Sequence, residues 1–174
     1  MKTWIAGDCG FLERPDKDSV LIDKWNKNVD EYDEVLVLGN FFYKIKIPSF
    51  ENKAKVLLRR LKGTISIMDY DEQRYNTWSR DKLKEIGFAR VNNIYCFSQN
   101  GNRIVHIIPT AEKLDCFKGK LYGAGARSTT GKKGVWTDNV LSISIADWGY
   151  APIEYDNLPN LVDNMIMFSK IQGE

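Results

Sequence analysis

The sequence predicts an α/β fold in one domain, residues 1–174: a mixed sheet system, parallel in its first half and antiparallel in its second, covered by helices. Three observations point there. Short β-branched and leucine runs alternate three times with apolar stripes of helical period, the pattern of parallel strands joined by right-handed helical crossovers. The second half replaces helices with apolar runs around Asn100-Gly101, and Asn-Gly is a strong hairpin signal. Finally, 174 residues that are 43% apolar suit one sizeable core, at ~150 residues per domain.

The elements follow in order. Thr3 to Gly7 is an apolar run ending in a Gly-Asp turn, the first strand. Asp18 or Ser19 caps a helix that turns Val20, Ile22, Trp25 and Val29 inward. Val35 to Leu38, closed by Gly39, suits a strand buried on both faces. Ser49 to Leu61 reads as a helix with Ala54, Leu57, Leu58 and Leu61 on one stripe and Gly63 as its stop. Thr64 to Met68 is a third strand, and Asp71 to Ile86 a third helix ended by Gly87. Ile94 to Ser98 and Arg103 to Ile108 flank the hairpin turn. Lys120 to Tyr122 and Val140 to Ala146 read as strands, Gly123 to Gly134 as a loop, and Asn160 to Ile171 as a final helix.

Composition excludes several classes. There are 25 Lys and Arg against 23 Asp and Glu, a net charge of +2, so no bulk field draws the chain to nucleic acid or an anionic membrane. Three Cys without regular spacing argue against a disulfide framework. Asp8 interrupts the N-terminus too early for a signal-peptide apolar region, and no apolar run approaches the ~20 residues of a membrane helix. A soluble, cytoplasmic chain with reduced thiols is expected. A single His excludes any histidine-rich metal motif.

Five segments, in order across residues 1 to 160, together resemble the calcineurin-like metallophosphoesterases of the short bacterial and phage type. Gly7-Asp8-Cys9-Gly10 ends the first strand where that family has Asp-x-His. Trp25-Asn26 and Asp33-Glu34 precede Leu38-Gly39-Asn40-Phe41, where the family reads Trp-Asn, an acidic turn and Leu-Gly-Asp-Phe. Gly63, a strand and Met68-Asp69-Tyr70-Asp71 stand where it has Gly-Asn-His-Asp. Leu121 to Ser128 stands where it has Leu-x-Gly-His-x-His, and Trp148 to Ile153 is similar to its closing segment. The resemblance implies a four-layer α-β-β-α sandwich of two mixed sheets, with a crevice at the strand ends.

That family hydrolyses phosphate esters with two metal ions, which clamp the phosphate and supply a hydroxide. Two ions held close together need a bridging carboxylate, imidazoles and oxygen donors. Here Asp8 retains the first ligand and Asp69 replaces an Asn with another oxygen donor. Five positions differ in kind: Gly10 for His, Asn40 for the bridging Asp, Tyr70 for the catalytic His, and Ala124 and Ala126 for the two His of the fourth motif. The remaining family His lies two residues before a Pro. Ile107 matches that place, and His106, three before Pro109, points to the opposite strand face. Asp8, Asn40 and Asp69, with His106 as a weak addition, could hold at most one Mg²⁺ or Mn²⁺; otherwise the two acids cap nearby helices. No cofactor is therefore expected.

Cys9 beside Asp8 reads first as a small buried thiol, since no His or Lys stands next to it to lower its pKa, and Cys96 and Cys116 read as packing residues. Arg127, Lys132 and Lys133, with Trp136, form a basic loop that could cradle a phosphate or contact nucleic acid, although a solvated loop is the commoner meaning of such a run. Arg59-Arg60 read as the wet edge of a helix. Phe41-Phe42-Tyr43 and Met165 to Phe168 are core segments or interfaces.

The resulting expectation is a catalytically inactive phosphoesterase homologue that acts by binding a protein partner or a phosphate-bearing ligand such as a nucleotide. If phage-encoded, it would act as an inhibitor in the host cytoplasm. The alternatives are a rewired metal-dependent phosphodiesterase and, against the near-neutral charge, a nucleic-acid binder.

Overall fold

The computed structural model describes residues 1–43, 49–68, 70–71, 75, 78–93, 96–108, 122–126, 135–137 and 139–172. Asp69, Cys116, Arg127, Lys132 and Lys133 lie outside them.

β1 (Thr3–Gly7), β2 (Glu34–Leu38), β3 (Thr64–Ile67) and β4 (Arg90–Val91) run parallel in that order, and β10 (Ile153–Glu154) adds antiparallel beside β1. The second sheet has the order β5-β6-β7-β9-β8, from β5 (Phe97–Asn100), β6 (Arg103–Ile108), β7 (Tyr122–Gly125), β8 (Trp136–Thr137) and β9 (Val140–Ser142). Its centre, β6-β7-β9, is parallel and its two edges antiparallel, so both sheets are mixed. This is the expected pair of mixed sheets with helices against them.

The period-2 alternation of the strands sorts their side chains into two cores. Trp4, Ala6, Val35, Val37, Ile65 and Ile67 face the helices α1 (Pro15–Asn28), α2 (Phe50–Arg60) and α3 (Arg80–Ile86). Ile5, Leu36, Leu38 and Met68 face the second sheet, where Val105, Ile107, Ala124, Leu141 and Ile143 meet them. The last helix, α4 (Leu158–Gln172), sends Leu158 and Val162 into this second core, and Asp163 pairs with Arg103 of β6 at 2.6 Å.

Local chemistry explains the helix ends. α1 starts at Pro15, whose missing N–H is no loss in a first turn, and Asp16 and Asp18 face the positive end of the helix. The helix thus begins three residues before the expected cap. Leu21 turns inward with Ile22 and Trp25, whereas Val20 is 48% exposed. α3 is shorter than its apolar pattern suggested: Ser79 accepts a hydrogen bond from Lys82 N at 3.2 Å and caps the helix there, while Tyr75 and Trp78 precede it in non-helical backbone. Gly63 is required by its φ of +86° and by Val29 Cγ1, which a Cβ there would approach to 2.9 Å. The hairpin forms, but its turn is shorter than expected: Gln99 and Asn100 belong to β5, and Gly101 and Asn102 alone stand between the paired Asn100 and Arg103.

Two strand expectations are corrected. Gly123-Ala124-Gly125 is not loop but β7, the central strand of the second sheet; small residues with weak strand preference are held there by pairing on both sides. β9 stops at Ser142, and Ile145–Trp148 forms a 3-10 turn in place of further strand. Phe41 and Phe42 are core and stack edge-on with each other at 4.9 Å, while Met167 and Phe168 are exposed.

Three motif residues from the sequence have structural work. Trp25 Nε1 donates to Lys62 O at 3.0 Å, while the Asn26 side chain accepts from Lys62 N and donates to Arg60 O, each at 2.8 Å. The pair thereby satisfies backbone groups at the end of α2. Asp33 is 4% exposed and accepts from Lys2 N at 2.7 Å, Trp4 Nε1 at 2.8 Å and Asp30 N at 3.1 Å. These donors, led by the Lys2 amide, hold its carboxyl down at about 2.

The folded pKa of Asp33 lies below its unfolded value, so the unfolded chain binds the proton more readily between the two. The stability from Asp33 is present above about pH 4 and is lost as pH falls toward about 2. Asp33→Asn should lower the urea midpoint at pH 7 and flatten the loss of stability between pH 4 and 2, measured by circular dichroism. A second expectation concerns Ser66, whose fully buried Oγ has no hydrogen-bond partner among the described residues. Ser66→Ala should raise stability by about 1 kcal/mol, because an unsatisfied buried hydroxyl costs more than the methyl that replaces it. A drop in the urea midpoint would contradict this.

Candidate functional site

The ends of β1 and β2 run on as a zipped pair of loops. Asp8 N donates to Leu38 O, Gly10 N to Asn40 O, Phe11 N to Phe41 O and Tyr43 N to Phe11 O, at 2.8–3.0 Å. Asp8 has a left-handed φ of +44°. From there its Oδ1 accepts a hydrogen bond from Asn40 N at 2.9 Å. Asp8 and Asn40, 32 positions apart in sequence, are thus brought together, and the carboxylate braces the next loop.

Tyr75, whose hydroxyl donates to Gly39 O at 3.3 Å, connects this pair of loops to Tyr70. Tyr70 packs against the helical core rather than the sheet interface: its hydroxyl donates to Trp78 O at 2.8 Å, its ring stacks on Tyr75, and the Arg80 guanidinium lies 4.9 Å over it. His106 is paired with Phe97 across the hairpin, and the two ring centroids are 6.3 Å apart. Alternation along β6 places Ile107 in the inter-sheet core and His106 on the opposite face, away from Asp8. Cys9 is buried and packs in the helical core, and burial, with Asp8 adding to it, pushes its thiol far above the ordinary range. Burial likewise raises the half-buried Cys96 thiol. Arg59 and Arg60 are exposed.

The seam between the sheets decides what this crevice can hold. Gly7 N donates to Ile143 O at 2.8 Å, Ile143 N donates to Gly125 O at 3.0 Å, and Gly7 bridges to Ser144. A Cβ on Gly7 would lie 2.9 Å from Ile143 O and 3.1 Å from both Cα and Cβ of Ala126. Ala124 and Ala126 are fully enclosed. The two sheets therefore touch backbone to backbone at Gly7. Gly10 offers no side chain, and the alanines offer no lone pair. Among the described residues, no three His, Cys, Asp or Glu side chains converge as metal ligands. The donors among the described residues do not make up a two-metal centre.

One polar cluster beside the seam was not evident from the sequence. Ser142 Oγ donates to Asp147 Oδ2 at 2.7 Å and accepts from Ser144 N at 3.3 Å, and Trp148 Nε1 donates to Ser142 O at 2.7 Å. The run Ser142-x-Ser144-x-x-Asp147-Trp148 was its only signal, and it reads as a turn once Gly7 fixes Ser144.

No family model matches the chain, and no curated protein does. Among solved structures, a protein of unknown function from Aquifex aeolicus superposes with a TM-score of 0.59 at 10% identity, over 92% of this chain and 98% of its own. The two share a fold across nearly their whole lengths. An archaeal phosphodiesterase superposes with a TM-score of 0.40 at 16% identity, over 91% of this chain and 87% of its own.

The tightness of the seam gives a direct expectation. Gly7→Ala should destabilise the protein by about 1–3 kcal/mol, the usual cost of inserting a methyl group where neighbouring atoms cannot move. Urea titration measures it, and an unchanged midpoint would show that the two sheets can part.

Proposed function

We infer that this chain is a binding protein on a metallophosphoesterase-like scaffold, with packing in place of the catalytic centre. One observation carries the reading: the positions that would present the two imidazoles of the fourth motif are Ala124 and Ala126, both enclosed, with Gly7 pressed against Ala126. Such a site cannot clamp a phosphate between two ions. The function would then lie in recognition of a protein partner or a phosphate-bearing ligand. Exposed apolar side chains at the end of α4, Met167, Phe168 and Ile171, support the first of these. Among the described residues no helix is long and apolar enough to cross a membrane.

A second reading has one observation in its favour. Asp8 and Asn40 are adjacent at the strand ends, and with Asp69 they would offer oxygen donors to a single hard cation. A slow, one-metal phosphodiesterase would use them.

One assay separates the two. The purified protein, incubated with Mn²⁺ and bis(p-nitrophenyl) phosphate, should show no turnover above buffer and retain no stoichiometric metal after dialysis. Turnover that Asp8→Ala abolishes would overturn the binding reading and establish the second.

A further inference from the structure

The last helix is unlike the others. α1 carries six charged residues in 14 and α2 five in 11, as helices with one solvated face do. α4 also lies at the surface but carries two in 15, Asp163 and Lys170. Its packing fades along its length. Leu158 and Val162 are buried in the second core, and no described residue of α4 after Val162 is buried. Met167, Phe168 and Ile171 stand on one stripe at helical spacing, 63%, 61% and 78% exposed, and the exposed Asn160 and Asn164 continue it. An apolar stripe of this kind, rimmed by polar residues, marks an interaction surface.

The two charges identify what covers the stripe. Asp163 and Lys170 are two helical turns apart, about 10 Å, along one flank of it. Both reach solvent: the Asp163 side chain is 47% exposed beside Arg103, and Lys170 is exposed. Opposite charges placed this way are complementary to their own reverse. When a second α4 lies antiparallel across the stripe, with a twofold axis between Ile166 and Met167, Asp163 of each copy falls beside Lys170 of the other. A parallel pair would instead set Asp163 against Asp163 and Lys170 against Lys170, which is repulsive. The same axis brings Met167 and Phe168 of both copies together at the centre and sets Ile171 between Asn160 and Asn164 of the other copy. The flank has no net charge, whereas helices that lie on membranes are rich in Lys and Arg on their polar face.

We propose that the exposed face of α4 is covered by α4 of a second copy of this chain, in a twofold antiparallel pair that buries Met167, Phe168 and Ile171 and matches Asp163 with Lys170 at both ends. A twofold contact uses the same patch on both subunits, so one self-complementary stripe suffices. The apolar centre supplies the affinity. The charge pairs set direction and register, since exposed ion pairs add little to stability. The contact is one helix wide, at the low end of specific interfaces, and the dimer is accordingly weak and reversible. The dimer does not depend on the absence of catalysis: turnover with Mn²⁺ would leave it standing, and a monomer without turnover would leave the binding reading standing.

Sedimentation velocity of the full chain over a dilution series measures this directly. The average mass should rise with concentration from that of the monomer toward twice that value. Phe168→Asp, at an exposed position, should raise the dissociation constant at least ~tenfold, the usual loss when an aromatic interface anchor is removed. Lys170→Glu and Asp163→Lys should each weaken self-association, because each sets like charges opposite one another. Mixed in equal amounts, these two variants should recover a dimer, since both charge pairs are then opposite in sign; two misfolded variants would not. A monomer at every concentration, a dimer that Phe168→Asp leaves unchanged, or charge variants that do not recover on mixing would each overturn the proposal. Co-sedimentation of a monomeric chain with phosphatidylserine vesicles, abolished by Phe168→Asp, would also overturn it and assign the face to a lipid surface.

Discussion

The hydrogen bond from Gly7 N to Ile143 O, 2.8 Å long, joins the two sheets at the point where β1 ends. The structure around it follows from that contact. Glycine is needed because any side chain at this inward-facing position would collide with Ile143 O and Ala126. Alanine at 126 is needed for the same reason, seen from the other sheet. The close approach then fixes where the chain leaves β1, and Asp8 turns through a left-handed conformation to brace Asn40. At this point the two sheets meet through backbone. The chemistry there is therefore that of packed small residues, with one carboxylate already engaged at the edge.

A second set of ties holds the helical side. Asp33 gathers donors from the chain start, from Trp4 and from its own turn, while its carbonyl accepts from Thr64 N at 2.7 Å. Trp25 and Asn26 hold the end of α2 against α1. These are the acidic turn and the Trp-Asn pair that stand out in the sequence, and their contacts are with backbone groups. They act on the alignment of β1, β2 and β3 rather than on a substrate. The motif residues that build the scaffold are thus present and engaged. At the strand ends, Asp8 is engaged in the same way, on the backbone amide of Asn40.

Much of the fold was legible in the sequence because burial on one face imposes a period. The stripe of Ala54, Leu57 and Leu58 gives α2, and the run Val35 to Leu38 gives a strand buried on both sides. Where local preference and tertiary pairing disagree, the sequence misleads. Gly123-Ala124-Gly125 has the composition of a loop, yet neighbours on both sides make it the central strand of a sheet. The helix expected from Asp71 is described as α3 from Arg80, with the Ser79 hydroxyl as its cap; a capping hydroxyl sets its start and an apolar pattern does not. Within the candidate site, the adjacency of Asp8 and Asn40 was expected from two strand ends, but the turning of Tyr70 toward Trp78 O was not, because a tyrosine at a strand end can pack to either side.

By itself the sequence determined the alternation of strands and helices, the assignment of most core residues and the shortage of metal-ligating side chains, all of which are local or countable. The tertiary structure decided the rest. It placed His106 on the far face of its strand, closed the seam between Gly7 and Ala126, and left Met167, Phe168 and Ile171 of α4 exposed. The reason is geometric: a residue's period fixes which face it shares with its neighbours, but the distance between two faces is set by every side chain packed between them.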